Sequence, residues 1–195
     1  MGIAEDLSQV FKEIGPQIQI VGTLPAVYEY VDITKTDREG FFTCTLPSTT
    51  SVVPGNILNV VKTGEKFLVI YTFKQMFEDE IVLVDAALVY CRNSVVIKRL
   101  TETKNAITRE KTFLWSTVAS SFCYISQTTT GNIINTEHDE AFINEKNKKM
   151  FISASSGMKT GDRATFGSVN LQIGDIDLLR YPGVAVCELF EDERP

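Results

Sequence analysis

Residues that could carry out chemistry are few in this chain. Its single histidine, His138, lies between Glu137 and Asp139. Two adjacent carboxylates favour the protonated imidazolium, which is a poor general base. The acidic run 78–80 could bind a divalent cation, although a solvated turn is the favoured interpretation. The sequence contains no nucleophile elbow, phosphate-binding loop or dinucleotide-binding turn, so we predict no catalytic residue and no enzymatic activity.

The cysteines do not form a metal-binding pattern. They are widely and irregularly spaced, no two form a C-x-x-C pair, and only one histidine could join them. Zinc ligation requires clustered ligands, so we predict neither a metal site nor a cofactor. Each cysteine is interpreted as a small hydrophobic residue in a strand, and pairing into two disulfides in an oxidising medium stays open. The four are Cys44, Cys91, Cys123 and Cys187.

Composition indicates a folded, acidic protein. The chain has 195 residues, 44% of them apolar, and a formal net charge of −6. That length allows one sizeable core or two small ones. An acidic chain lacks the basic surface that neutralises phosphates, so general nucleic-acid binding is not expected. No apolar run approaches the roughly 18 to 20 residues of a membrane span, and no signal-peptide pattern is present, so we expect a soluble, unexported protein.

The first element that the pattern predicts is an amphipathic helix. Apolar residues recur at helical spacing, and Gly15-Pro16 ends the pattern. We expect this helix to pack on its own domain, with docking into a partner's groove as the alternative. The apolar face consists of Ile3, Leu7, Val10, Phe11 and Ile14.

After Pro16 the pattern becomes that of short strands separated by turns. Alternating apolar and β-branched runs bounded by Gly, Pro, Asp and Ser favour antiparallel pairing. Trp115, the only tryptophan, lies in such a run and is predicted to be a core residue. We therefore predict a mainly β protein of small antiparallel β-barrel or sandwich modules with a short N-terminal α-helix. The predicted strands are 17–22, 26–31, 40–46, 55–61, 64–71, 80–91, 112–118, 122–127, 149–154, 169–173 and 183–190, and the stretch 159–167 is predicted to be a turn that leads into a further strand.

The predicted strands fall into two groups. Residues 1–100 form the helix and a first β-module, the polar stretch 101–111 is interpreted as a linker, and residues 112–195 form a second β-module. Pro54-Gly55-Asn56-Ile57 and Thr160-Gly161-Asp162-Arg163 each turn into a strand at a similar place in its module. This correspondence suggests that the two modules are related by an old duplication.

A long polar loop, 128–148, interrupts the second module. Loops of this length in compact domains are usually functional or disordered. Its apolar pairs are Ile133-Ile134 and Phe142-Ile143. Our hypothesis is that these pairs become buried against a neighbouring subunit or face a channel, and a mobile hairpin is the alternative.

Part of the second module resembles a known family. The likeness is carried mainly by the run Gly161-Asp162-Arg163-Ala164-Thr165-Phe166-Gly167, a turn that leads into a strand. With this run, the segment 122–190 is similar to the head-closure, or stopper, proteins of tailed bacteriophages, in which such a turn leads into a strand of a small barrel. Ser168 stands where the family commonly has a second glycine, and Leu171 where it often has an aromatic residue. The helix ending at Gly15 also resembles the family's beginning.

The resemblance implies a structural role in a virion. Head-closure proteins form a cyclic ring in the neck, between the portal or adaptor proteins and the tail terminator, with packaged DNA close by. It implies that the chain assembles in the host cytoplasm, resides in the neck or tail region of the particle, and contacts no membrane. A tail-terminator, collar or baseplate protein is an alternative from the same class. A small β-barrel binding module of the OB type is an alternative from another class.

Overall fold

The fold is mainly β and divides into two units. The computed structural model describes residues 3–104, 109–127 and 148–194. Unit 1 comprises residues 1–92 and 178–184, and unit 2 comprises residues 93–177 and 185–195. The elements are α1 Ile3–Ile14, β1 Gln17–Ile20, β2 Val27–Tyr30, β3 Asp32–Lys35, β4 Phe41–Pro47, β5 Ile57–Val60, β6 Lys66–Phe77, β7 Glu80–Tyr90, β8 Asn93–Lys104, β9 Lys111–Gln127, β10 Lys148–Ser153, a short 3-10 helix Ala154–Ser156, β11 Arg163–Phe166, β12 Val169–Tyr181 and β13 Val184–Glu191.

Helix α1 has the predicted bounds but only part of the predicted packing. It ends where the Gly15 N–H donates to the carbonyl of Phe11, at 2.9 Å, and Pro16 prevents its continuation. It packs on β2, β4 and β7 of unit 1. Phe11 is buried, whereas Val10 and Ile14 are exposed. The predicted apolar face is therefore only partly covered within the described chain.

Unit 1 is a curled antiparallel sheet. Its strands lie in the order β2-β1-β5-β6-β7-β4-β3. The edge strands β2 and β3 follow each other in the chain with only Val31 between them. The two edges of the sheet consequently meet at Val31, which is fully buried. Enclosed apolar side chains, among them Ile18, Leu58 and Leu88, form the core of this unit.

Unit 2 contains a closed barrel of six strands. Their order around the barrel is β10-β13-β12-β11-β8-β9. The long strand β9 pairs with β8 as far as Cys123 and with β10 from Tyr124 onward. A separate apolar core fills this unit and includes Ile97, Met150 and Ile173.

The two units have the same strand connectivity. In each, the first strand lies between the second and the fourth, and the fourth, fifth and sixth are neighbours. In each unit the third strand is the neighbour of the sixth strand on one side and of the later half of the second strand on the other. In unit 1 that second strand is the segment 27–35, which is interrupted at Val31, and in unit 2 it is β9. This shared connectivity supports the hypothesis of two related modules.

The first unit opens its fourth strand with a tight turn. Gly55 has φ +88°, in the left-handed region that favours glycine. Its N–H donates to the carbonyl of Val69 at 2.8 Å, and the N–H of Val69 donates to the carbonyl of Asn56 at 3.0 Å. The side-chain Oδ1 of Asn56 accepts from the N–H of Val53 at 2.9 Å. The side-chain bond ties Asn56 to the backbone three residues earlier and so holds the turn closed.

The second unit has the same turn at the same topological place. Gly161 also has φ +88°. Its N–H donates to the carbonyl of Ile173 at 2.8 Å, and the N–H of Ile173 donates to the carbonyl of Asp162 at 2.8 Å. The Oδ2 of Asp162 accepts from the N–H of Lys159 at 2.8 Å. Each bond has a counterpart in unit 1, so the correspondence noticed in the sequence extends to hydrogen bonds.

The boundary between the units differs from the predicted one. The chain divides after Arg92, and residues 101–104 continue β8 rather than begin a linker. Lys104 pairs with Lys111 at the far end of the β8–β9 hairpin. A polar composition is compatible with the exposed end of a long hairpin, so composition alone did not separate the two cases. Within the described residues, no helix has the length and apolar character needed to cross a membrane.

Candidate functional site

The family-like turn opens β11 and positions a buried carboxylate. Asp162 is only 3% exposed. Its Oδ1 accepts from Arg99 Nε at 2.9 Å, and its Oδ2 accepts from Arg99 Nη2 at 2.7 Å. The same Nη2 donates to the carbonyl of Gly157 at 3.0 Å. This two-pronged bond raises the pKa of the Arg99 guanidinium above its ordinary value, and it fixes the turn to strand β8.

Arg163, the next residue, is buried and paired with the C-terminal segment. Its Nε donates to Asp192 Oδ2 at 2.6 Å, and its Nη2 donates to the carbonyl of Arg194. The guanidinium carbon lies 3.8 Å from the centroid of the Trp115 ring. The arginine thus combines a charge-assisted hydrogen bond with a cation–π contact.

Arg194 is a second arginine that binds both Asp192 and the turn. Its Nε donates to Asp192 Oδ1 at 2.7 Å and its Nη2 to Asp192 Oδ2 at 3.0 Å. Its Nη1 donates to the carbonyl of Gly161 at 2.8 Å. The guanidinium carbon is 5.1 Å from the centroid of the Trp115 ring. Residues 192–194 are therefore held directly on the turn.

Asp192 is the acceptor at the centre of this arrangement. Its side chain is completely buried. Burial by itself would raise the pKa of Asp192, but hydrogen bonds from Arg194 and Arg163 outweigh it and hold the pKa well below its ordinary value. The carboxylate stays ionised and bound at neutral pH. We call this group the turn network; its members are Arg99, Trp115, Asp162, Arg163, Asp192 and Arg194.

The turn network can hold structure but has no group poised for reaction. Its carboxylates are engaged by guanidinium groups, and among the described residues no buried side-chain nitrogen or oxygen is left without a hydrogen-bond partner. A buried, fully bonded ion network restricts the local backbone to one arrangement. Its consequence is a fixed turn with the C-terminal segment clamped to it.

The other residues of the predicted motif have separate places. Phe166 is half-buried and packs against the core of unit 2. Gly167 has φ +58° in the tight turn between β11 and β12, where a glycine is favoured. Thus the structure brings Gly161, Asp162 and Arg163 into one network, while Phe166 and Gly167 shape the hairpin that follows.

Sequence reasoning missed several members of the turn network. Arg99 and Asp162 are 63 residues apart in the sequence, and Arg163 and Asp192 are 29 apart. No local spacing signals a pair at such separations. Trp115 was predicted to be a core residue, but it is half-buried and lies against two guanidinium groups. Alternation correctly placed it on a strand but could not show that its face is covered by arginines.

The other predicted site residues do not form a reactive or metal-binding cluster among the described residues. The acidic run Glu78–Glu80 is exposed at the end of the β6–β7 hairpin. Among the described residues, no three His, Cys, Asp or Glu side chains are grouped closely enough to hold a metal ion. The loop residues Ile133, Ile134, Phe142 and Ile143 lie outside the described residues, and so does His138.

The cysteines are buried thiols, as interpreted from the sequence. All four are free and buried, and burial raises the pKa of Cys91 and of Cys187 to about 12. Burial, followed by nearby carboxylates, also raises the pKa of Cys44. A thiol with such a pKa is protonated at neutral pH and is a poor nucleophile.

Comparison with known proteins adds no family assignment. No family model matches the chain, and no curated protein matches it either.

Proposed function

We propose that this protein is a ring-forming structural component of a tailed-phage virion, acting in head closure or head–tail joining at the neck. The observation that carries the proposal is the Gly161-Asp162-Arg163 turn. It resembles the head-closure motif, and it opens a strand of a closed barrel, as in the family. Both of its charged residues are buried and paired, which gives the motif a structural reason for its residue types.

The exposed apolar residues also support an assembling protein. Large apolar side chains face solvent on the outer part of β6, on β9 and at the end of β12 in this single chain. Exposed apolar side chains that form a contiguous patch mark sites of protein–protein contact. Cyclic rings form when such contacts join unlike surfaces and close by rotation. The most exposed examples are Phe73, Met76, Phe113, Leu114 and Leu179.

The charge of the chain suits a place near packaged DNA. A formal net charge of −6 repels the phosphate backbone. A neck protein with this charge would surround DNA without binding it tightly. DNA contact is therefore proposed by proximity only, and no cofactor or membrane forms part of the proposal.

Antibody labelling of particles tests the proposal. Virions produced by the genome that encodes this chain are purified, checked for the chain by mass spectrometry, and decorated with antibodies raised against it. We expect label at the junction of head and tail. Label at the tail end or baseplate would favour the alternative phage structural roles, and absence of the chain from particles would contradict the whole proposal.

A further inference from the structure

The sheet of unit 1 has an outer side that carries aromatic and polar side chains together. Strands β6, β7, β4 and β3 are neighbours in that order. Ile33, Cys44 and Ala86 lie opposite one another and pack in or against the core, and side chains alternate along a strand, so the adjacent residues point away from the core. We call this surface the outer face; its members are Phe73, Asp85, Thr45 and Asp32 in one row across the strands and Tyr71 and Ala87 in the next.

Two aromatic rings stand side by side on the outer face. Tyr71 is 54% exposed and Phe73 is 65% exposed. Residues two apart on a strand lie about 6.8 Å from each other on the same side, so the two rings form one edge of the face. Ala87, opposite Tyr71, has only a methyl group. The small side chain leaves the surface beside the Tyr71 ring low and open to a flat ligand.

A carboxylate is fixed directly beside these rings. Asp85 lies opposite Phe73 in the register of β6 and β7. Its Oδ1 accepts from Thr45 Oγ1 at 3.0 Å, and its Oδ2 accepts from Gln75 Nε2. An ionised carboxylate has about four acceptor positions, so each oxygen of Asp85 can accept a further hydrogen bond. The group is therefore oriented by the protein and still able to bind a hydroxyl group.

The charge of the outer face excludes anionic ligands. Its charged members are Asp32 and Asp85, and none of its members is basic. The end of the β6–β7 hairpin adds three carboxylates at 78–80. Negative charge of this kind repels nucleic acids and acidic polysaccharides. The cations near it in the chain are placed differently: Lys35 and Lys74 alternate to the other side of the sheet, and Arg38 lies over the ring of Phe41 at 4.0 Å.

We propose that the outer face is a binding site for a neutral oligosaccharide. A sugar ring offers an apolar side of C–H groups, which packs on aromatic rings, and hydroxyl groups, which donate to a carboxylate. The outer face presents these two partners next to each other, at Phe73 and Asp85. A protein partner fits less well, because the centres of protein interfaces are depleted in aspartate. Phe73 is thus assigned to a ligand rather than to a neighbouring subunit, and the site does not depend on the virion role.

Binding to defined glycans tests this inference. The full-length chain is applied to an array of neutral glucans, mannans, xylans and galactans, and isothermal titration calorimetry with the best-bound oligosaccharide gives its affinity. We expect a dissociation constant between about 10 μM and 1 mM, typical of a shallow site. Heparin and polygalacturonate, as anionic probes, should not bind.

Substitutions on the outer face identify the site. Tyr71→Ala and Phe73→Ala should each weaken oligosaccharide binding about fivefold, because each removes a ring on which a sugar packs. Asp85→Asn should weaken binding about tenfold, because a neutral amide replaces the charged acceptor. Phe113→Ala is the matched control: this ring is 56% exposed, on β9 of unit 2, and its loss should leave the affinity unchanged. Circular dichroism checks that each variant is folded.

Three results would overturn the inference. The first is no binding to any neutral glycan at up to about 1 mM, and the second is an equal loss of affinity in Phe113→Ala. The third is a chain that binds no neutral glycan but loses self-association in Phe73→Ala, measured by sedimentation velocity, since the face would then be a protein contact. The virion role is judged separately: a chain located at the neck that binds no glycan loses only this inference, and a glycan-binding chain absent from virions loses only the virion role.

Discussion

Asp192 is the residue on which the turn network depends most. Its buried carboxylate accepts hydrogen bonds from two arginines. Asp192→Asn preserves the shape but leaves the buried guanidinium of Arg163 without its counter-charge, so we expect a loss of about 2–4 kcal/mol in the free energy of unfolding. Urea unfolding of both proteins measures this. Asp175→Asn, at an exposed carboxylate on β12, is the control and should change stability by less than about 0.5 kcal/mol.

The lowered pKa of Asp192 also predicts a pH dependence. A carboxyl whose pKa is lower in the folded state contributes stability above its ordinary pKa of about 4, and loses it as pH falls through the folded-state value. The wild-type protein should therefore lose stability steadily below about pH 4. In Asp192→Asn this acid-dependent part should be smaller, because the group no longer titrates. Equal acid slopes for the two proteins, from urea unfolding at several pH values, would contradict the role assigned to Asp192.

Asp162 has a natural comparison within the same chain. Asn56 holds the corresponding turn in unit 1 through the same side-chain bond to the backbone. Asp162→Asn should therefore keep the turn and lose mainly the Arg99 ion pair, at a cost of about 1 kcal/mol. Asp162→Ala removes both interactions and should cost about 2–3 kcal/mol. Thermal unfolding of the two variants gives the ranking; an alanine variant as stable as the asparagine variant would mean that the backbone bond is unimportant.

At the scale of elements, the two corresponding turns separate conformational strain from packing. Gly55 and Gly161 share φ +88°, but only the first has backbone packed against it. Gly161→Ala should cost only the strain of a left-handed alanine, about 1–2 kcal/mol. Gly55→Ala should cost at least about 1–2 kcal/mol more, because its Cβ clashes with backbone. Denaturant unfolding of both variants measures the difference. Equal losses in the free energy of unfolding would show that the packing of the Gly183 backbone against Gly55 contributes little.

Short-range patterns predicted most elements, and their failures have physical causes. Helix α1 ends where Gly15-Pro16 required, because proline cannot continue a helix. Strand β8 was missed and β9 was divided in two, because the outer part of the β8–β9 hairpin is exposed on both faces and its residues therefore need not alternate between apolar and polar. The Gly161 turn was recognisable because glycine at positive φ leaves a local sequence mark. Its ion network was not recognisable, because Arg99 on β8 and Asp192 in the C-terminal segment are far from the turn in the sequence.

At the scale of the whole molecule, each unit has its own apolar core. Trp115, the only tryptophan, contacts arginines of unit 2, so its fluorescence reports on that unit, whereas circular dichroism reports on both. Leu58→Ala, in the core of unit 1, removes a fully buried side chain and should destabilise that unit by about 2–5 kcal/mol.

Because the two cores are separate, the circular dichroism and fluorescence transitions should no longer coincide in Leu58→Ala. Its circular dichroism transition should begin at lower urea while the fluorescence transition keeps its midpoint. Ile173→Ala, at a fully buried position in the core of unit 2, is the matched variant and should move the fluorescence midpoint. If Leu58→Ala moved both signals together, the two units would unfold as one cooperative body despite their separate cores. If the fluorescence midpoint stayed in place while the circular dichroism transition moved, each unit would have its own folding transition, and each of the two turns would stabilise only the unit in which it lies.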